Sequence, residues 1–181
     1  KNIFEIWLEA NTYFNVVGPD GAGKDSALEV ILPMLRNIVL FREPGGTPEA
    51  ELIRETILTI SNEKRKENFL LLRSEEKSKL LLGKTIKLLE KAEKEYKKGN
   101  IGLMEVYLYA ASRSETNEKV VKKSLLEGKA VIGSRSVSCS MAYQGNARGI
   151  DTDFVWKTNM EAIDRLPDFE IFLDIPTKIA M

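Results

Sequence analysis

The chain has 181 residues, enough for one domain with a sizeable core. It is 43% hydrophobic and 30% charged, and its basic and acidic residues balance, so no global field points to nucleic acid or an acidic membrane surface. It contains no histidine and a single cysteine, Cys139, which excludes histidine-based triads, histidine metal ligands and a disulfide framework.

Any chemistry must therefore run on lysine, arginine, carboxylates, hydroxyls and backbone amides. The apolar runs are too short to span a bilayer and no segment reads as a signal peptide, so a cytoplasmic protein with no membrane or nucleic-acid partner is expected. The chain opens on Lys1 rather than Met, and residues before it are expected.

Asn2–Ala10 mixes apolar residues with Glu5 and Glu9 and reads either as a short helix or as an extra edge strand. Phe14–Val17 reads as a buried strand. Gly18, Gly21, Gly23 and Lys24 then give the spacing G-x-x-x-x-G-K, and an apolar helical pattern runs from Asp25 to Leu35. Strand, glycine loop and helix are the context of a P-loop. Its glycines let backbone N–H groups turn inward on an anion, and the helix N-terminus adds partial positive charge. Gly18, Gly21, Ala22, Gly23, Lys24, Asp25 and Ser26 are thus the candidate ATP-binding residues. Lys24 reads as a solvent-facing loop residue that reaches the donor β- and γ-phosphates and whose loss would cost little stability. Asp25 stands where a P-loop normally carries Ser or Thr. It reads either as a metal ligand beside the phosphates or as a first-turn carboxylate that favours the helix dipole and points away.

Ile38–Arg42 is the second expected strand, closed by Glu43-Pro-Gly-Gly46, with Thr47 as a helix cap and Pro48 at the first helical position. Residues 61–100 are rich in Lys and Glu and read as a charged helical insert. Within it Glu75–Lys98 is expected to be one long helix, with an apolar stripe at Leu82, Ile86, Leu89, Ala92 and Tyr96 and a stop at Gly99. Lys129–Gly133 and Phe169–Asp174 are the third and fourth strands. Strands separated by helices predict an α/β fold, a P-loop three-layer α/β/α sandwich on a parallel sheet of five strands when complete. Its site lies at the carboxyl ends of the strands. The whole chain, 1–181, reads as a single P-loop domain, with a lid loop at about 140–151.

Four further clusters follow in order: Phe41-Arg-Glu-Pro-Gly-Gly-Thr47, Leu108-Tyr-Ala-Ala-Ser-Arg113, Gly133-Ser-Arg135, and Ala142-Tyr-Gln-Gly-Asn-Ala-Arg-Gly-Ile-Asp151. With Pro167-Asp168 and Leu173-Asp174-Ile-Pro176, they make the chain resemble the thymidylate kinase family from about Phe14 to the C-terminus, outside the charged insert. The resemblance implies ATP-dependent phosphorylation of a deoxypyrimidine nucleoside monophosphate, dTMP to dTDP, with Mg²⁺. It also implies nucleotides as small-molecule partners and a homodimer.

It further implies roles. Lys24, Arg135 and Arg148 are the catalytic candidates. Lys24 holds the donor phosphates, Arg135 bridges donor and acceptor, and Arg148 acts as an arginine finger carried on the lid. Arg42, followed by Glu43 and Pro44, clamps the acceptor phosphate, and Asp20 meets the sugar 3′-hydroxyl. Tyr109 stacks on the base where the family usually has Phe, Arg113 bonds a base carbonyl, and Tyr143 and Gln144 line the base and sugar side. Tyr143 also reads as a plain core aromatic.

The carboxylate pattern departs from the family's. Val17 stands in place of a Glu, Ser134 in place of the Asp of an Asp-Arg pair, Ser138 in place of a further Asp, Cys139 in place of a Ser, and Asp25 in place of the P-loop hydroxyl. Asp25 is then the one candidate metal ligand. The link from Arg36 to Ile38 is short, and the family continues past the fourth strand with a helix, a donor-base contact and a fifth strand. These departures keep two further readings open: a kinase for a different or modified nucleoside monophosphate, and a nucleotide-binding paralogue with reduced or lost activity.

Overall fold

The computed structural model of the chain describes residues 10–59 and 61–180, so the Asn2–Ala10 segment lies almost wholly outside the described residues. The described strands are β1 (Tyr13–Val17), β2 (Ile38–Arg42), β3 (Ala130–Ser134) and β4 (Phe169–Phe172). They form one parallel sheet in the order β2-β3-β1-β4. The two central strands, β1 and β3, are buried along their whole length, as a sheet covered on both sides requires, while the edge strands β2 and β4 are partly exposed. One face packs Phe14, Val16 and Ile132 under Leu28 of helix α1 (Lys24–Ile31). The other packs Tyr13, Phe41 and Val131 under Val121 and Leu125.

Gly133 in β3 has a steric reason. A Cβ there would run into the Asn15 side-chain amide and lie 2.7 Å from the Phe41 ring. Gly133→Ala is therefore expected to destabilise the protein by about 1–3 kcal/mol by overpacking, read as a lowered Tm.

The remaining helices are α2 (Pro48–Leu58), α3 (Asn62–Leu72), α4 (Glu75–Ser78), α5 (Gly83–Lys97) and α6 (Ile101–Thr116). A π-helical stretch, Asn117–Lys122, continues α6 into α7 (Lys123–Leu126). After β3 come α8 (Val137–Ser140), a second π-helical stretch at Met141–Ala147, then α9 (Thr152–Ala162) and α10 (Thr177–Ala180). Thr47 caps α2 as expected, its hydroxyl accepting from Ala50 N at 3.0 Å.

Several boundaries differ from the sequence reading. The first helix ends at Ile31 and passes into a 3₁₀ turn, Leu32–Met34, because Pro33 has no N–H for a continuing α-helical ladder. The expected helix Glu75–Lys98 is two helices broken over 79–82. The break has a tertiary cause: Leu82 is extended and its N–H donates to the buried carboxylate of Glu115 on α6, at 2.8 Å. Leu82 therefore caps α5 instead of joining its stripe. Gly99 ends α5 as expected in a Schellman motif, with Gly99 N on Tyr96 O and Asn100 N on Glu95 O, both 2.9 Å. The charged segment also reaches the core: Phe69, Leu72, Leu88, Leu89 and Ala92 are buried in one cluster with Met104 and Leu108 of α6. The stretch expected as a lid loop is helical as far as Ala147 and turns only at Arg148 and Gly149.

Candidate active site

A cleft of about 380 Å³ opens at the carboxyl ends of β1, β2 and β3. The P-loop reaches its edge through Asp20, with Asp25 at the start of α1 beside it. Gly18, Gly21 and Gly23 all have positive φ, at 154°, 80° and 74°. A Cβ on Gly18 would sit 2.9 Å from Leu173 O, so the loop crosses β4's exit too closely for any other residue. Ala22 N closes a turn on Pro19 O at 3.2 Å. Lys24 does not face solvent. It is buried, and its Nζ donates to Gly18 O (3.0 Å) and Pro19 O (2.7 Å). The ammonium has folded back onto the loop's own carbonyls. Asp25 and Ser26, neighbours on α1, are both exposed, and of the two Asp25 lines the cleft.

Arginines gather around the opening. Arg42 leaves the end of β2 and pairs with Glu51 of α2 at 3.2 Å. Arg135 follows β3 with φ 72°, left-handed backbone that a non-glycine residue holds at a cost, and pairs with Asp20 of the P-loop. Arg148 ends the second π-helical stretch and pairs with Glu105 of α6. Arg54 of α2, which the sequence reading missed, also lines the cleft and donates to Pro44 O at 3.2 Å. Its only sequence signal was its place in an ordinary amphipathic helix. Arg42 and Arg135 thus each rest on a carboxylate that a phosphate can replace, and Arg148 on one that engages a single terminal nitrogen.

Across the cleft, Tyr109 is half-buried, and burial pushes its phenol above the ordinary value, so it is neutral. Tyr143 is half-buried and Gln144 buried, both lining the same space. Arg113 forms the floor and is almost wholly enclosed. Its Nε donates to Glu43 Oε2 (2.7 Å), Nη1 to Asn159, and Nη2 to Ser136 O (3.1 Å) and Ser140 Oγ (3.4 Å). Burial raises the Glu43 carboxyl's pKa, against the opposing pull of Arg113. A buried ion pair so fully bonded fixes Pro44, α8 and α9 relative to one another. Ser136, Ser140 and Asn159 were not singled out in the sequence. Single hydroxyls and amides give no signal until their partner is known.

Asp25 and Ser134 face each other, with the Ser134 hydroxyl 3.4 Å from Asp25 Oδ1. Carboxylate and hydroxyl oxygens of this kind suit a hard divalent cation. Among the described residues no group of three or more acidic or cysteine side chains surrounds such a position. This pair could hold a cation whose other ligands are water and phosphate oxygens, as Mg²⁺ commonly does. No helix among the described residues is long and apolar enough to cross a membrane.

Comparison with known proteins follows the same lines. A family model described as thymidylate kinase matches residues 63–181. The thymidylate kinase of Leuconostoc mesenteroides subsp. mesenteroides is 33% identical over 175 residues, covering 93% of this chain and 66% of the relative. That of Lactobacillus acidophilus is 35% identical over 170 residues, covering 91% of this chain and 62% of the relative. The chain spans less than two thirds of the length of these curated relatives. The crystal structure of thymidylate kinase from Ehrlichia chaffeensis superposes with a TM-score of 0.60 at 26% identity, covering 93% of this chain and 79% of that one. The family match takes in the charged segment from residue 63 and starts after the P-loop, which stands on its own geometry. A parallel sheet, a glycine loop at its switch point and a family match over most of the chain fit one assignment: the chain belongs to the thymidylate kinase family.

Proposed function

We propose that the chain transfers the γ-phosphoryl group of ATP to the 5′-phosphate of a deoxypyrimidine nucleoside monophosphate, dTMP giving dTDP. The observation that carries this reading is the convergence of Arg42, Arg54, Arg135 and Arg148 on one cleft, between a P-loop and the half-buried ring of Tyr109. In-line transfer between two polyanions needs positioning and charge neutralisation more than covalent chemistry, and the cleft supplies both.

Lys24 leaves its loop carbonyls for the donor phosphates. Arg42, from the FREPGGT segment with Glu43 and Pro44, holds the acceptor phosphate. Arg135 lies between the two. Asp20 exchanges its bond to Arg135 for the sugar 3′-hydroxyl. Tyr109 stacks on the base, Arg113 donates to a base carbonyl through the one Nη1 hydrogen its protein partners leave, and Tyr143 and Gln144 close the sugar side. Arg148 meets the charge that develops during transfer. Asp25 and Ser134 would hold Mg²⁺, which would supply neutralisation of the donor phosphate charge. A cytoplasmic homodimer completes the reading.

An ADP-release assay with a panel of monophosphates tests it. Turnover with dTMP above all others is the expected result. Preference for another monophosphate would redirect the substrate, and no turnover with any would leave a nucleotide-binding paralogue. Arg148→Ala is expected to lower kcat roughly a thousandfold while dTMP affinity, read by calorimetry, changes little, because an arginine finger acts mainly in the transition state. Lost affinity with unchanged kcat would place Arg148 in substrate binding.

A further inference from the structure

The lid does not hang over the cleft by its ends alone. Between Arg135 and Lys157 the segment crosses the cleft edge and comes down on helix α6 at two points one turn apart. Arg148 pairs with Glu105, whose side chain is only 10% exposed. Ile150 lies over Gly102, so closely that a Cβ on Gly102 would stand 3.2 Å from Ile150 Cδ1. Positions 102 and 105 are three apart and share one face of α6. Glycine at one and a nearly buried carboxylate at the other make a shaped and charged seat. Ile150 N also donates to Gln144 O at 3.3 Å, which closes the lid's descending turn on its ascending π-helical limb.

The pairing is one-sided on the arginine. Glu105 engages Nη1, and the Arg148 side chain is 47% exposed along the cleft wall. A guanidinium is a rigid planar fork, so fixing one terminal nitrogen fixes where the other donors point. A long flexible side chain on an exposed turn otherwise samples many rotamers, and each must be given up on reaching the transition state.

We propose that Glu105 is the positioning residue of the lid: it seats Arg148 on α6, together with the Ile150–Gly102 contact, so that the guanidinium enters the cleft already aimed at the transferring phosphoryl group. The proposal rests on the phosphotransfer reading above. It assigns Glu105 no contact with substrate, so its removal acts on kcat through Arg148 and leaves nucleotide affinity alone.

Two measurements on the whole chain test this. In steady-state kinetics, Glu105→Gln keeps the side chain's shape and loses its charge. It is expected to lower kcat about tenfold with both KM values within about twofold of the parent. In an Arg148→Ala background the same change is expected to cost less than about twofold, because the residue it acts through is gone. Losses that multiply in the double variant, or a loss that falls on KM, would overturn the positioning role.

The second measurement needs no activity. Arg148 is the only Lys or Arg between Arg135 and Lys157, so tryptic cutting within that segment reports on the lid alone. Glu105→Gln and Ile150→Ala are each expected to speed cleavage after Arg148 by about tenfold, since proteolysis follows the population of the open segment. Unchanged cleavage in both would overturn the seat. If the parent chain transfers no phosphoryl group to any monophosphate, the function proposed above fails, and the cleavage comparison still decides whether Glu105 holds the lid.

Discussion

Lys24→Ala is expected to reduce phosphoryl transfer by roughly a thousandfold and to destabilise the protein as well. The activity loss follows from where the charge sits: a cation on the group being transferred is worth several kcal/mol in a pre-organised site, about 3–4 kcal/mol for one donor. The stability loss follows from the structure. Lys24 is buried, and its ammonium satisfies Gly18 O and Pro19 O inside the loop it belongs to. Charge-assisted bonds of this kind contribute about 1.5–3 kcal/mol each at most, and water replaces part of that when the side chain goes, so a net cost of about 1–2 kcal/mol is expected. Lys24→Met separates the two effects. It keeps the packed stem and loses the charge, so it should recover part of the Tm and none of the turnover. Activity within tenfold of the parent in either variant would rule out the P-loop assignment.

That correction shows where reading a sequence stops. The spacing of Gly18, Gly21, Gly23 and Lys24 is a local constraint, because positive φ at glycines and a following helix are written into neighbouring residues. The strands were legible for the same reason, with errors of one or two residues at their ends. The direction of the Lys24 side chain was not, since it depends on which acceptor reaches it first: a phosphate, or the loop's own carbonyls.

Tertiary partners account for the other differences. Nothing between Glu75 and Lys98 announces a break, since Gly83 is the one weak helix former and the charge pattern runs through it. The break is made by Glu115, far along the chain, which takes the N–H of Leu82. Arg113 was legible as a candidate position and illegible as a floor. Its burial depends on Glu43, Asn159, and Ser136 with Ser140, which come from three separate places in the sequence. Arg54 needed the fold to bring the far side of α2 over Pro44. The site was thus readable where its chemistry is carried by contiguous loops, and hidden where it is assembled across helices.

The second large effect concerns Asp25 and Ser134, and it rests on the proposed phosphotransfer. Under that proposal Asp25 takes the reading that places it by the phosphates; its carboxylate lines the cleft and meets the Ser134 hydroxyl at 3.4 Å. At an effective dielectric of about 20, two like charges ~4 Å apart repel by roughly 4 kcal/mol, and in bulk water by ~1 kcal/mol. Asp25 is exposed, so the cost beside a donor phosphate falls towards the lower figure, about five- to tenfold in affinity. A divalent cation between the two turns the repulsion into attraction. Asp25→Thr should therefore raise ATP affinity by about that factor in a chelator and gain correspondingly less from Mg²⁺. Ser134→Asp alone sets two carboxylates against each other and should bind ATP least well without metal and gain most on adding it. Asp25→Thr with Ser134→Asp moves the single carboxylate to the facing strand end while keeping one carboxylate and one hydroxyl in contact, so it should recover the parent's metal dependence. ATP titrations of the four forms by calorimetry, with Mg²⁺ and with chelator, give the cycle directly. Equal metal dependence in the parent and Asp25→Thr would show that Asp25 serves only the helix terminus, where a carboxylate is worth ~1 kcal/mol at most.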